Sequence, residues 1–211
     1  MRRVVVLALV ALALPIVASA GTIDITNQFG SISISALGIT STQSHLEMFD
    51  GVTPASPSNS LGFVNFTTGA LLTGSIFAGG TFAGGAASSF DVLGVGAWAK
   101  TLTGCPSCTN PISLFVGSFV GPVDWTLTGV SHQSRYYSLT GEIAGWLYGG
   151  HWVTGTTTQN FFTTGAQINQ GVGHISVGNS QLTVPEPGTL GLLGTGLVGI
   201  AGLFRRKLIG S

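Results

Sequence analysis

Isoleucine alternates with polar residues in Thr22-Ile23-Asp24-Ile25-Thr26 and again in Ser31-Ile32-Ser33-Ile34-Ser35. A two-residue period places side chains on alternate faces of an extended chain. Asp124-Trp125-Thr126-Leu127-Thr128 repeats the pattern, and Tyr137, Leu139 and Ile143 carry it through a later segment. Thr, Val, Ile and Phe favour strands, while the helix formers Glu, Lys and Arg are nearly absent. Thr-Gly pairs at 68–69, 73–74, 103–104, 128–129, 140–141, 154–155 and 164–165 supply turn or bulge points. The expectation is an all-β domain of about ten to fourteen short strands, with no helix outside the two apolar ends.

The echo of Phe77-Ala78-Gly79-Gly80 in Phe82-Ala83-Gly84-Gly85 invites a stacked repeat, but the Thr-Gly pairs keep no fixed period, as a solenoid would require. A Gly/Thr-rich β-sandwich is therefore the first expectation, with a β-helix or barrel as the alternative. The stretch 51–60, with Pro54 and Pro57, reads as a surface loop inside one domain. Only 7% of the 211 residues are charged, against about 25% in an average soluble domain. Between the two ends, Asp24, Glu47, Asp50, Asp91, Asp124 and Glu142 face only Lys100 and Arg135. That acidic balance excludes a nucleic-acid partner, because phosphate binding needs clustered cations. Apolar residues spread along the whole segment exclude a disordered tail.

The two ends read as delivery signals. Met1-Arg2-Arg3 is a short cationic region, Val4 to Val17 an apolar run too short for a membrane span, and Ala18-Ser19-Ala20 offers the small residues that signal peptidase cuts after. Residues 1–20 are thus read as a signal peptide, with Ala18 and Ala20 at the cleavage site, and 21–184 as an extracytoplasmic β-domain. After Val184, Pro185-Glu186-Pro187 forbids continuous helix or sheet. Gly188 to Phe204 is an uncharged apolar stretch reaching roughly 25 Å as a helix, a thin transmembrane span. Arg205, Arg206 and Lys207 then stop transfer on the cytoplasmic side.

Pro185-Glu186-Pro187, a Gly- and Leu-rich helix and a terminal basic cluster, in that order, resemble the PEP-CTERM sorting signal of Gram-negative bacteria. The resemblance covers residues 185–211. It implies that Pro185, Glu186 and Pro187 are recognised by an exosortase, a multi-span membrane enzyme, and that the helix and basic end are discarded. Signal peptidase and exosortase are then processing partners, the inner membrane a transient one, and the mature protein is at the cell surface or outside the cell. The resemblance also implies a link with exopolysaccharide and biofilm.

Within the domain, Cys105-Pro106-Ser107-Cys108 is the sharpest local feature. An exported chain meets an oxidising compartment, so Cys105 and Cys108 are expected to close a small disulfide before a strand starting near Ile112. A redox-active pair would need a helix N-terminus, and zinc would need two further ligands; neither is evident, and no cofactor or metal site is expected. No Gly-x-Ser-x-Gly elbow occurs. Glu47/Asp50 and Asp124/Glu142 are the obvious carboxylate pairs for a polysaccharide hydrolase, with Glu47 and Asp50 placed in a connection. Most aromatics are expected in the core, but Tyr148-Gly149-Gly150-His151-Trp152 reads as a tight turn presenting Tyr148, His151 and Trp152 to a ligand. The expected function is a non-enzymatic, surface-sorted matrix protein. A carbohydrate-binding module or adhesin is the alternative, and a polysaccharide-acting hydrolase a third reading.

Overall fold

A computed structural model describes residues 21–56, 59–131, 134–164 and 173–184. The expected signal peptide with Ala18 and Ala20, the sorting motif Pro185–Pro187, the apolar stretch after it and Arg205, Arg206 and Lys207 lie outside the described residues. One compact unit runs from Thr22 to Val184.

That unit is almost entirely strand. In chain order it contains β1 (Gly21–Ser35), β2 (Gly38–Phe49), β3 (Gly62–Thr67), β4 (Leu71–Ser75), β5 (Gly79–Phe82) and β6 (Ser89–Gly94). A short helix α1 (Ala97–Thr103) follows, then β7 (Ile112–Phe119), β8 (Val123–Ser131), β9 (Ser134–Leu147), β10 (His151–Thr164) and β11 (Gly173–Val184). Eight of the strands close on themselves in the order β10-β11-β1-β2-β3-β6-β7-β9, with β9 pairing back to β10. All-β is therefore the class, and the closed ring is the barrel rather than the two-sheet sandwich.

Closure depends on the length of β9. One of its edges pairs with β10 along the whole strand, from Ser134↔Thr164 to Leu147↔His151. Its other edge is shared: Ile143 to Leu147 pair with β7, and Ser134 to Thr140 pair with β8. The sheet forks between them, and β8, β5 and β4 branch from the ring. Gly141 sits at the fork, where a Cβ would lie 2.8 Å from the Phe119 ring, closer than real side chains pack.

The alternation that opened the sequence is broken once in β1, and the break has a structural cause. Ile23, Ile25 and Asn27 point inward, and so do Ile32 and Ile34, although the two sets differ in parity. Phe29 (φ 60) and Gly30 (φ 84) take left-handed conformations that absorb the change. A Cβ on Gly30 would stand 2.7 Å from the Ser44 backbone, so only glycine allows β1 and β2 this approach. On β2, Gln43 (φ 55) makes the matching irregularity, and its amide donates to the Asn65 side-chain oxygen at 2.7 Å.

The interior has two chemistries. Phe66, Phe90, Phe115, Phe119, Phe161 and Trp125 are fully buried and meet ring to ring. Across β10, β11, β1 and β2 a polar seam runs through this apolar lining. Asn27 and Gln159 exchange amide hydrogen bonds at 3.0 and 3.1 Å, Asn27 also donates to Ser44 Oγ at 2.7 Å, and Gln159 donates to Thr157 Oγ1 at 3.0 Å. Buried amides that satisfy one another avoid the desolvation cost of an unpaired group, about 1–3 kcal/mol each.

Helix α1 departs from the expectation of no helix in the domain. Ala97, Ala99, Lys100 and Leu102 concentrate good helix formers in one turn-bounded stretch, and Gly104 (φ 65) caps it in the left-handed region. Ala99 is fully buried, and Trp98 donates its indole N–H to Leu61 O at 3.0 Å.

Candidate functional site

Strands β9 and β10 are joined by Tyr148, Gly149 and Gly150, with both glycines at positive φ (80° and 81°). Residues equally far from this turn face one another, and Trp146 pairs with Trp152 across the two strands. Both indoles point away from the core, 55% and 49% exposed, with centroids 5.2 Å apart and planes at 77°. On the other side of Trp146 stands Val116 of β7, 48% exposed. Neither indole N–H has a partner among the described residues. The same cross-strand row continues to Asp91 of β6 and Asn65 of β3. Half-burial raises the Asp91 carboxyl above its ordinary pKa, because desolvation penalises the carboxylate.

Of the three residues expected at this turn, Trp152 is on the exposed face and His151 is exposed at the strand start. Tyr148 turns the other way, half-buried against Phe49 at 6.3 Å. Its phenol is raised above the usual tyrosine pKa by desolvation and by the nearby Asp50 carboxylate. Trp146, the true partner of Trp152, was legible by counting back from the glycines: it stands as far before Gly149 as Trp152 stands after it. Trp125 and Tyr137 are core, stacked at 4.3 Å with planes 10° apart, and their polar tips donate to Ile76 O and Phe77 O.

The cysteines do form a disulfide, Cys105–Cys108, with Cα atoms 5.4 Å apart. The pair follows the C-terminus of α1, with the Cys105 amide bonded to Lys100 O at 3.0 Å. A helix C-terminus presents carbonyls, which disfavour a thiolate, so this is not the setting of a reactive pair. The bridge ties off the connection that enters β7 at Ile112, where that strand was expected to begin.

The carboxylates are spread over the outside. Asp124 of β8 stands opposite Thr140, and Glu142 follows two residues along β9, so both lie exposed on one outer face. Glu47 belongs to β2 and not to a connection, while Asp50 follows in the turn. An extra residue at the β1–β2 register shift hid the end of that strand from its alternation. Among the described residues no three His, Cys, Asp or Glu side chains gather as a metal site would require.

The family model for the PEP-CTERM protein-sorting motif matches residues 183–207. The chain carries a PEP-CTERM sorting signal. It is thereby an exported, exosortase-processed protein, sent across the inner membrane to the surface of a Gram-negative cell. The match begins inside β11, which ends at Val184, so the PEP-CTERM signal adjoins the last barrel strand without a linker. No curated protein and no solved structure matches the chain.

Proposed function

We propose that the barrel is a non-enzymatic component of the extracellular matrix that associates with exopolysaccharide after sorting. The observation that carries this reading is an outer surface, on the ring and on the branching strand β8, that is rich in uncharged hydroxyls. Ser31, Ser33 and Ser35 of β1, Thr126 and Thr128 of β8, Thr140 of β9 and Thr154 and Thr156 of β10 are all exposed. Each hydroxyl donates and accepts, so such a face exchanges hydrogen bonds with water and sugar hydroxyls alike, without charge. Ranks of weak, uncharged contacts suit retention in a hydrated polysaccharide better than tight binding of one ligand.

A carbohydrate-binding module would present coplanar exposed rings; Trp146 and Trp152 are exposed but nearly perpendicular. A hydrolase would face two carboxylates across a cleft, and Asp124 and Glu142 share an open outer surface. The hydroxyl face therefore carries the reading. In the native host, mass spectrometry is expected to find a mature species starting at Gly21 and ending near Pro185 that co-fractionates with exopolysaccharide. Equal recovery of that species, free in the medium, from a strain lacking the polysaccharide would overturn the matrix assignment.

A further inference from the structure

The exposed indole pair lies at the end of the barrel where the chain departs for its sorting signal. Strands β10 and β11 pair Thr154 with Thr183, and continuing that register sets Val184, the last residue of β11, beside Val153. Trp152 is the next residue along β10. Three residues, Pro185 to Pro187, separate Val184 from the apolar stretch 188–204. An extended chain covers at most about 3.3–3.6 Å per residue, so three residues can reach no farther than about 10 Å. Were the apolar stretch to span a bilayer, so short a connection would keep the rim bearing Trp152 near the lipid headgroups.

What that rim presents suits such a surface. Trp146 and Trp152 offer half-exposed apolar bodies and N–H edges without a partner among the described residues, and Val116 extends the apolar area. Indoles of this kind concentrate where hydrocarbon meets water, with the ring in the apolar layer and the N–H among polar groups. A sugar platform demands coplanar rings; a fluid interface makes no such demand, and the 77° between the two planes lets each ring enter separately.

We propose that Trp146, Trp152 and Val116 form a docking surface for the phospholipid interface of the membrane that holds the sorting helix. Docking orients the barrel and keeps Pro185–Pro187 at the depth of the bilayer surface until the tail is removed, after which the patch is released. The proposal rests on residues 188–204 acting as a membrane span.

The test uses the full chain reconstituted into phosphatidylcholine–phosphatidylglycerol vesicles whose acyl chains carry bromine, which quenches tryptophan emission on contact. Of the four tryptophans, Trp125 is buried and Trp98 packs against the core, so the outer pair is the source of quenching, up to about half of the emission. The quenching is expected to be insensitive to salt, because apolar area and not charge drives it, and to vanish in W146F/W152F. In the native host, W146S/W152S is expected to slow removal of the tail several-fold while the barrel folds normally. Flotation and alkaline extraction of the same vesicles report whether the tail is inserted. Inserted protein whose emission is untouched by bromine overturns the docking surface alone. Quenching that survives W146F/W152F does the same, as does shielding of the pair by soluble polysaccharide and not by lipid. Failure of the chain to stay with the vesicles removes the span and the docking surface together.

Discussion

Near the start of β9, Tyr137 stacks on Trp125 at 4.3 Å with the planes 10° apart; near its end, Trp146 meets Trp152 at 5.2 Å and 77°. The inner pair is 1% exposed at both residues, and each polar tip is bonded to a backbone carbonyl in the β4–β5 connection. The outer pair is about half exposed, and neither N–H meets a partner among the described residues. One strand thus carries two aromatic pairs of similar chemistry, separated only by which face they occupy. The inner pair fixes the branch of β8, β5 and β4 against the ring. Beyond each other, the outer pair makes no contact on which the core depends, and two adjacent indoles with Val116 beside them leave an apolar patch available for a partner.

Removing one indole from each pair gives the widest contrast. Trp125→Ala is expected to cost about 3–5 kcal/mol in denaturant unfolding, the range for a large aromatic deleted from a packed core. Trp152→Ala is expected to cost no more than about 1 kcal/mol, the worth of one exposed cross-strand aromatic contact. Equal losses would mean that the outer pair is structural. Tyr137→Phe isolates the polar tip of the inner pair: it keeps the stack and removes the bond to Phe77 O, for an expected loss of about 1 kcal/mol. The smallest effect belongs to Asp91, in the same outer row as Trp146. Its folded pKa is raised, so the native state holds the proton more tightly and stability falls as pH rises through that pKa. Asp91→Asn is expected to raise the melting temperature slightly at neutral pH and to flatten its pH dependence above the ordinary carboxylate range. A lowered melting temperature would show that the carboxylate has a stabilising partner.

Much of the architecture was legible because alternation reports burial directly. Ile23, Ile25, Ile32 and Ile34, then Trp125, Tyr137, Leu139 and Ile143, all point inward as their spacing requires. Gly129 lies at a register irregularity in β8, Gly74 (φ 81) takes a left-handed conformation in β4, and Gly104 caps the helix, as Thr-Gly punctuation suggested. What alternation does not encode is which strand lies beside which. The shared edge of β9 decides ring closure, and nothing in its own residues names β7 or β8 as neighbours. Helix α1 was too short for a periodic signal. The polar seam around Asn27 and Gln159 was hidden because polar residues at inward positions read as solvent-facing when the partner strand is unknown. The outer indole pair was half legible: Trp152 was singled out, while Trp146 needed the hairpin register centred on Gly149.

The first and last strands of the domain lie side by side, tied by Gln181 to Asp24 at 2.9 Å and by Thr26 to Asn179 at 3.3 Å. A secreted polypeptide emerges front end first, so β1 must wait, one edge bare, until β11 has cleared the translocation channel. Ring closure therefore cannot precede the emergence of β11, the segment that directly precedes the sorting signal.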